Sequence, residues 1–431
     1  MTAANAVQTF IDTVDAAAAS YMEACVHCGQ CARACHFYET NNDPRLTPIY
    51  KIEPLIKTYK RHKAPFASLR RALGLVPAEI TEDELNEWSE LVYDTCTMCG
   101  RCTLVCPMGI DVAALVRKTR EGFVAAGIVP EGLTGAAQRA LDIGSPLGIK
   151  PETLRKIVDE QSQEVGIPIE LDKVGADYLV VLSAMELLNF YEVIGALARI
   201  FKQAGVSWTI STEAYEATNI GIQMGDKEVA RTLVGRIVDA AEKLKVKYVI
   251  SPECGHAYTA LKWEGPNLVG RPYDFKVVHI LEFLDQLQRE GKIRTKGKDT
   301  RRVTYHDPCQ IVRRGGVVKQ PRAILDTVSD GFVEMSHAGV ANICCGGGGG
   351  VSSNPRAEDY RLRAFASKKK QIDDLGDIEA LVTSCANCRN VIEEAIDEYG
   401  MELPVIGLVE LLADYLEPES DAGEKAKLAE A

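Results

Sequence analysis

Apolar positions in the second half of the chain alternate between short continuous runs and helical spacing. The run YLVVL at 178–182 predicts a buried strand, and the apolar residues of 187–201 then recur three or four positions apart, which predicts a helix ended by Gly205. Further strands are predicted at Tyr248–Ile250, at VTY (303–305) and at LVT (381–383). Strands that alternate with helices predict a parallel, helix-covered sheet, so we expect an α/β fold here.

This half of the chain also repeats itself. YLVVLSAM aligns with RVTYHDPC, which pairs Ser183 with Cys309, and an equal spacing further on pairs Thr218-Asn219 with Cys344-Cys345. VISPECG (249–255) is matched to VTSCANC (382–388). This match is taken to pair Ser251 with Cys385 and Cys254 with Cys388. The repeat predicts two related half-domains, of which only the second keeps enough cysteines for a metal cluster.

Eight cysteines between residues 25 and 106 form two copies of one spacing. CVHCGQCARAC (25–35) and CTMCGRCTLVCP (96–107) both follow C-x2-C-x2-C-x3-C. Three closely spaced thiolates can hold one 4Fe–4S cube, while the fourth is directed toward a neighbouring cube. Zinc is disfavoured, because it needs only four sulfurs per site, usually as two C-x2-C pairs. The predicted ligand sets are Cys25, Cys28, Cys31 and Cys106 for one cluster and Cys96, Cys99, Cys102 and Cys35 for the other.

The stretch between Cys35 and Cys96 is longer than a small two-cluster ferredoxin uses. It is predicted to be helical, and Thr81 and Glu84 form a candidate capping box at the start of one helix. This arrangement resembles the helical ferredoxin domain of succinate dehydrogenase iron–sulfur subunits and heterodisulfide reductases.

Composition restricts the compartment and the function classes. The net charge of −12 argues against nucleic-acid binding, which depends on Lys and Arg. No apolar stretch reaches the roughly 18 residues that span a bilayer, and the first twenty residues contain no Lys or Arg, unlike a signal peptide. We therefore expect a cytoplasmic chain without its own membrane span. Its 14 cysteines are expected to be metal ligands or redox groups rather than disulfides.

Five more cysteines follow the pattern C-x34-CC-x39-C-x2-C, at Cys309, Cys344, Cys345, Cys385 and Cys388. One cubane needs only four sulfurs. At these residues the sequence resembles the cysteine-rich CCG domain of heterodisulfide reductase catalytic subunits, in which five such cysteines hold a non-cubane 4Fe–4S cluster. The glycines at 346–350 suit a backbone folded closely around an inorganic core. A phosphate loop is rejected, because no Lys-Ser/Thr follows the glycines.

The order of the modules resembles the D subunit of heterodisulfide reductase, and PECGHAY (252–258) and YHDPC (305–309) resemble its DsrK-like branch. The resemblance implies a multidomain fold, in which an N-terminal all-α ferredoxin-type module precedes two pseudo-repeated α/β CCG half-domains. The predicted boundaries are the ferredoxin module at 1–127, a linker at 128–175, a degenerate half-domain at 176–295, an intact half-domain at 296–418 and a disordered tail at 419–431.

The resemblance implies an iron–sulfur oxidoreductase subunit active in sulfur metabolism. Two cubanes would exchange electrons with the non-cubane cluster, which would perform disulfide or trisulfide–thiol chemistry. Candidate substrate-contacting residues beyond the five cysteines are Cys254, His256 and His306. A buried structural role for Cys254 and a core role for His306 remain open alternatives.

A second hypothesis is an electron-transfer subunit of a flavin-dependent glycolate, lactate or glycerol-3-phosphate dehydrogenase, which passes electrons toward quinone. No G-x-G-x-x-G motif follows a predicted strand, so neither flavin nor nicotinamide is expected on this chain. The expected partners are a membrane cytochrome b-type subunit or a flavoprotein, with a small sulfur-carrier protein as a candidate substrate. Such a partner would hold the chain peripherally at the inner face of the membrane.

Overall fold

Helices are the only regular secondary structure of residues 3–165 in the computed structural model, which describes residues 3–418. The predicted disordered tail at 419–431 lies outside the described residues. The helices are α1 (Ala3–Thr13), α2 (Ala16–Ala24), α3 (Gln30–Arg33), α4 (His36–Asn41), α5 (Pro48–Lys51), α6 (Glu53–His62), α7 (Ala67–Ala72), α8 (Glu82–Asp94), α9 (Arg101–Leu104), α10 (Val112–Ala126), α11 (Glu131–Ile143) and α12 (Pro151–Val165). The predicted capping box at α8 is confirmed, since the Glu84 backbone N–H donates to the Thr81 hydroxyl at 3.2 Å and the Glu84 carboxylate accepts from the Thr81 N–H at 3.1 Å.

The segment predicted as a linker, 128–175, contains α11 and α12. Leu133 of α11 is packed in the helical core, whereas Leu154 of α12 is packed in the core of the α/β part. Its glycine and proline signals mark helix ends, because Gly144 ends α11 at a φ of +94° and Pro151 begins α12. The segment therefore joins the two cores with ordered helices, and the domain boundaries themselves stay a prediction.

Two four-stranded parallel sheets follow, as the alternating pattern predicts. The first has the order β2-β1-β3-β4 and the second β6-β5-β7-β8. Their strands are β1 (Tyr178–Val180), β2 (Trp208–Thr209), β3 (Tyr248–Ser251), β4 (Lys276–His279), β5 (Val303–His306), β6 (Phe332–Val333), β7 (Ala380–Thr383) and β8 (Val405–Gly407). In each sheet the first and third strands along the chain are direct neighbours, so the loops after them emerge side by side at the carboxyl edge.

Helices cover both sheets. They are α13 (Ala184–Asn189), α14 (Glu192–Ala204), α15 (Ile220–Met224), α16 (Lys227–Leu244), α17 (Gly255–Thr259), α18 (Gly265–Val269), α19 (Ile280–Arg289), α20 (Cys309–Val312), α21 (Gln320–Val328), α22 (Glu358–Asp373), α23 (Ala386–Glu398) and α24 (Leu408–Asp414). Short 3₁₀ turns occur at Pro44–Leu46, Gly339–Ala341, Val351–Ser353 and Pro355–Ala357, and a π-helical turn at Ala260–Glu264. The single helix predicted over 187–201 is wrong, because the chain breaks at Phe190 between α13 and α14, although Gly205 does end α14.

Within residues 3–418, no helix combines the length and apolar character needed to cross a lipid bilayer.

Candidate metal centres

The two N-terminal cysteine loops have the same backbone. In each loop the residue before the second cysteine has a positive φ, at His27 (+50°) and Met98 (+53°). The residue after that cysteine does too, at Gly29 (+78°) and Gly100 (+75°). Two left-handed residues within three positions turn the chain tightly enough for closely spaced cysteines to face a common centre. The matching conformations follow from the matching spacings.

The structure brings Cys35 of the first loop to the three cysteines of the second. Cys35, Cys96, Cys99 and Cys102 all line one internal cavity. Cys31 instead has Cys25 and Cys28 as its neighbouring charged groups. The position of Cys35 is the one that the crossed ligand sets require, and the assignment of ligands remains a prediction.

Two buried cations lie beside this cavity, and their missing counter-charges indicate whether the site suits an anionic cluster. Lys51, which lines the cavity, donates from Nζ to the Thr95 carbonyl at 2.5 Å. The Arg120 guanidinium donates only to backbone carbonyls, those of Val92, Cys96, Gln223 and Gly349. Neither cation has a carboxylate within ion-pair distance among the described residues. A buried charge without a counter-charge costs several kcal/mol, and thiolate-bound iron–sulfur clusters would supply the missing negative charge. The residues present therefore fit such clusters.

The five cysteines of the second α/β half converge at the carboxyl edge of its sheet. Cys309 begins the helix after β5, and Cys385 and Cys388 follow the neighbouring strand β7. The Sγ atoms of Cys309 and Cys344 are 3.8 Å apart, and those of Cys345 and Cys388 are 3.2 Å apart. All five side chains are buried.

The glycine run after Cys345 is explained by the segments that pack against it. A Cβ on Gly349, whose φ is +62°, would lie 2.8 Å from the Thr97 carbonyl carbon. A Cβ on Gly350, whose φ is +85°, would lie 2.7 Å from the Leu133 side chain. Sequence reasoning attributed the glycines to the metal core alone and missed the approach of the ferredoxin-type loop and α11.

The second ferredoxin-type loop contacts the five-cysteine site directly. The Thr97 Oγ1 lies 3.4 Å from the Cys344 Sγ, and the neighbouring Cys344 thiol raises the pKa of Cys99. Arg313, four residues after Cys309, donates to the Cys99 carbonyl at 2.8 Å. The two predicted metal centres are therefore neighbours, linked through Cys99 and Cys344.

His306 and Lys368 complete the surroundings of the five cysteines. A ring nitrogen of His306 lies within 4.8 Å of the sulfurs of Cys345 and Cys388, and neither ring nitrogen has a hydrogen-bond partner among the described residues. Burial holds the pKa of His306 well below its usual range, so the ring is neutral.

Lys368 was missed by sequence reasoning. Its buried Nζ donates to Gln371 Oε1 at 2.8 Å, and burial lowers its pKa to about 8 while nearby Cys344 acts to raise it. The available signal was a lysine at the helical spacing of the apolar residues Phe365 and Ile372 on α22. It places a cation against the cysteine cluster.

Cys254 lies opposite Cys385 rather than Cys388. Cys254 (φ −141°, ψ 108°) and Cys385 (φ −145°, ψ 113°) each precede the helix that follows the third strand of their sheet. Cys385 is the charged group that acts most strongly on Cys254. Burial and this neighbour raise the pKa of Cys254. The sequence alignment was therefore wrong in register at this loop, and Ala257 occupies the position that Cys388 has in the second half.

At the other positions that the alignment paired with cysteines, the side chains of the first half accept hydrogen bonds from backbone N–H groups at helix starts. Ser183 Oγ accepts from the Glu186 N–H at 3.3 Å and Asn219 Oδ1 from the Ile222 N–H at 3.1 Å. The Thr218 hydroxyl accepts from the Ala184 N–H at 3.2 Å. His256 accepts from the Gly349 N–H at 3.3 Å, and desolvation lowers its pKa to about 4. The side chains of Ser183, Thr218 and Asn219 therefore satisfy backbone N–H groups at helix starts.

Comparison with known proteins identifies the class of the two cysteine regions. Residues 21–110 match the family described as "4Fe-4S dicluster domain", and residues 303–393 match the family described as "Cysteine-rich domain", or CCG. These matches indicate an iron–sulfur protein with 4Fe–4S clusters, and they coincide with the helical part and the second sheet.

Three relatives resemble this chain over most of its length. The chain is 27% identical over 446 residues to the "Hdr-like menaquinol oxidoreductase iron-sulfur subunit 2" of Archaeoglobus fulgidus, covering 92% of this chain and 80% of the relative. It is 29% identical over 417 residues to the D subunit of the dihydromethanophenazine:CoB–CoM heterodisulfide reductase of Methanosarcina mazei, covering 94% and 97%. The resemblance to the D subunit of heterodisulfide reductase is therefore confirmed. The chain is also 28% identical to the "EtfAB:quinone oxidoreductase" of Syntrophomonas wolfei, covering 87% of this chain and 55% of that protein.

Proposed function

We propose that the chain is an iron–sulfur oxidoreductase subunit of an Hdr-like complex, with two 4Fe–4S cubanes in its helical part and a non-cubane 4Fe–4S cluster in its second α/β half. The contact of the second ferredoxin-type loop with the five-cysteine site carries this proposal, since Thr97 Oγ1 lies 3.4 Å from Cys344 Sγ and Arg313 donates to the Cys99 carbonyl at 2.8 Å, without an intervening segment. When bound, these clusters would supply single electrons and an open site for sulfur, which suits disulfide or trisulfide–thiol chemistry. The proposed complex supplies the other redox subunits and places the chain at the cytoplasmic face of the membrane.

The chain's own residues hold, shield and orient the reacting groups. Thirteen cysteines serve as ligands, at Cys25, Cys28, Cys31, Cys35, Cys96, Cys99, Cys102, Cys106, Cys309, Cys344, Cys345, Cys385 and Cys388. The buried position of the last five excludes water from the site. His306, neutral and unpartnered, is placed to donate or accept a hydrogen bond at a sulfur of this site.

The two α/β halves are proposed to be a pseudo-repeat, at 176–295 and 296–418. The same strand order in both sheets and the matching backbone at Cys254 and Cys385 support this proposal. One half has kept its metal ligands, and the other has exchanged them for helix caps.

Iron content and cluster spectra test the assignment. Anaerobically purified protein should contain about twelve iron atoms per chain, in three four-iron clusters. Cys309→Ser should lower this number by about four, whereas Cys254→Ala should leave it unchanged. Adding an organic disulfide to the dithionite-reduced protein should change the electron paramagnetic resonance signal that Cys309→Ser abolishes. Full cluster content with no change on addition of any disulfide or thiol contradicts the sulfur chemistry.

The similarity to the EtfAB:quinone oxidoreductase favours a second candidate, in which the chain passes electrons between a flavoprotein and quinone without its own substrate. Reoxidation of the reduced protein separates the two candidates. A relay would be inert to disulfides and would be reduced rapidly by a reduced flavoprotein partner. The proposed enzyme would be reoxidised by a disulfide in the absence of any partner.

A further inference from the structure

The stretch 57–77, which we call the α7 segment, is strongly basic. It runs from the middle of α6 through α7 to the loop before α8. The whole chain has a net charge of −12, yet this stretch contains no aspartate or glutamate. Its cations are Lys57, Lys60, Arg61, Lys63, Arg70 and Arg71. A local positive region on an acidic chain turns toward a negatively charged surface.

Four of these cations have no ion-pair partner among the described residues. Lys57 and Arg61 are paired with carboxylates. The four exposed cations without one are Lys60, Lys63, Arg70 and Arg71. The other basic stretch, 292–302, differs because four of its cations are ion-paired, at Lys292, Arg294, Lys298 and Arg301. The positive charge of the α7 segment is therefore the one left uncompensated.

Large apolar side chains are exposed between these cations. Phe66 is 79% exposed, Leu69 59%, Leu73 63% and Leu75 66%. Leu69 and Leu73 stand four positions apart, so they share a face at α7. A face that met only water would carry polar side chains at these positions. A group of exposed apolar side chains ringed by charge indicates an interaction surface.

The backbone of the α7 segment is ordered. Arg61 donates to the Pro77 carbonyl at 2.9 Å and closes the base of the segment. The Leu75 N–H donates to the Arg70 carbonyl at 2.7 Å. Phe66, directly before α7, has a φ of +61°, which is costly for a bulky residue and sets the turn that begins α7. Because the exposed side chains stand on a fixed backbone, little ordering entropy is lost when they are covered.

We propose that the α7 segment docks the chain directly on the surface of a bilayer that contains anionic lipids. Phe66, Leu69, Leu73 and Leu75 enter the boundary between headgroups and acyl chains, and the four unpaired cations contact lipid phosphates. Lys and Arg suit this position, since their stems pack beside apolar surface while their charges stay in the headgroup layer. The core of a protein interface is instead depleted in lysine and in charge. Lipid binding needs both apolar insertion and positive charge, and this segment has both.

The same helix links the α7 segment to the first cysteine loop. α6 begins at Glu53, whose carboxylate interacts electrostatically with His27 of that loop, and ends at His62 inside the α7 segment. Its ten residues span about 15 Å. Docking through the α7 segment therefore brings the helical part of the chain to the membrane surface. The lipid contact does not depend on the reaction proposed above.

Cosedimentation of the cluster-loaded, full-length chain with lipid vesicles tests this proposal. Vesicles of phosphatidylcholine alone are compared with vesicles of equimolar phosphatidylcholine and phosphatidylglycerol. The wild-type chain should bind the anionic vesicles at least about tenfold more strongly, and added salt should weaken this binding. Arg70→Gln/Arg71→Gln should lower binding to the anionic vesicles by about 25-fold, at about fivefold per charge. Leu69→Gln/Leu73→Gln should lower it by about tenfold or more, because two apolar side chains no longer leave water.

Matched double variants outside the α7 segment provide the controls. Lys292→Gln/Lys298→Gln removes two cations that are ion-paired. Leu147→Gln/Leu188→Gln removes two exposed leucines of another surface. Both should bind the anionic vesicles like the wild type.

No binding of the wild-type chain to either kind of vesicle, or equal losses in the α7 variants and the controls, would overturn the proposal. A wild-type chain that ignores vesicles, but whose α7 variants separate from a copurifying membrane subunit, would assign the segment to a protein partner and refute lipid docking. Iron content and reoxidation by disulfides should be the same in all variants. A failure of lipid docking is therefore distinguishable from a failure of the proposed function.

Discussion

Gly349→Ala is expected to disrupt the contact between the ferredoxin-type loop and the five-cysteine site. The new Cβ would lie 2.8 Å from the Thr97 carbonyl carbon, 2.9 Å from its oxygen and 3.0 Å from its Cα. These are backbone atoms that cannot rotate away. Thr97 in turn contacts Cys344, so a displaced loop separates the two centres.

The expected magnitude has two parts. An alanine at the Gly349 φ of +62° costs about 1–2 kcal/mol, and forcing a methyl group into packed surroundings adds about 1–3 kcal/mol. Gly400→Ala isolates the first part, because Gly400 has a φ of +60° and no atom lies within 4 Å of the position that its Cβ would take. Gly349→Ala should therefore lose about 1–3 kcal/mol more than Gly400→Ala.

Thermal bleaching of cluster absorbance, followed together with protein unfolding, measures this difference. Gly400→Ala should bleach a few degrees below wild type because of its backbone cost, and Gly349→Ala should bleach at a clearly lower temperature than Gly400→Ala. The reduced ferredoxin-type clusters of Gly349→Ala should also pass electrons more slowly to the site that contains Cys344. Equal bleaching temperatures for the two variants would refute the close approach of Thr97 to the glycine run.

Three further changes give distinct outcomes. Lys368→Met should lower the midpoint potential of the cluster beside it, because a buried positive charge stabilises the reduced form of the cluster, which is one unit more negative than the oxidised form. The exposed Lys370→Met should leave that potential unchanged in a redox titration. Burial raises the Glu216 pKa to about 8, so the folded chain keeps a proton that the unfolded chain releases near the ordinary pKa of a glutamate. The free energy of unfolding should therefore fall as the pH rises from about 5 to about 8. Denaturation curves of Glu216→Gln should lack this fall. Cys35→Ser should reproduce the paramagnetic spectrum of Cys99→Ser, and a match to a Cys25-set variant would refute the crossed ligand sets.

Local patterns predicted the elements that carry the metal-binding residues. The strand at 178–182, the capping box at Thr81 and the two cysteine loops depend on residues close in sequence, whose spacing and side-chain type are visible directly. The five-cysteine pattern was visible for the same reason, and its convergence follows from the neighbouring positions of β5 and β7.

Contacts between residues that are distant in the chain could not be predicted from the sequence. The approach of Thr97 to Gly349 joins residues some 250 positions apart, and nothing near either residue signals it. The sequence alignment paired Cys254 with the wrong cysteine because the end of a strand is fixed by its neighbours in the sheet. A shift of a few residues there changes which residue of one half lies opposite which residue of the other. In 128–175, glycine and proline were interpreted as a linker, although here they punctuate two packed helices.

The buried Arg120 implies an order of assembly. Its guanidinium ties together carbonyls from α8, the second cysteine loop, α15 and the glycine run, so these four segments can close only around it. Before iron and sulfide are bound, packing these segments together buries the positive charge of Arg120 without a counter-charge. That packing is therefore unfavourable in free energy. We therefore expect these four segments to stay apart in the newly made polypeptide until clusters have been inserted into its helical part. The cysteines then remain accessible to the proteins that insert the clusters before the helical and α/β parts pack together.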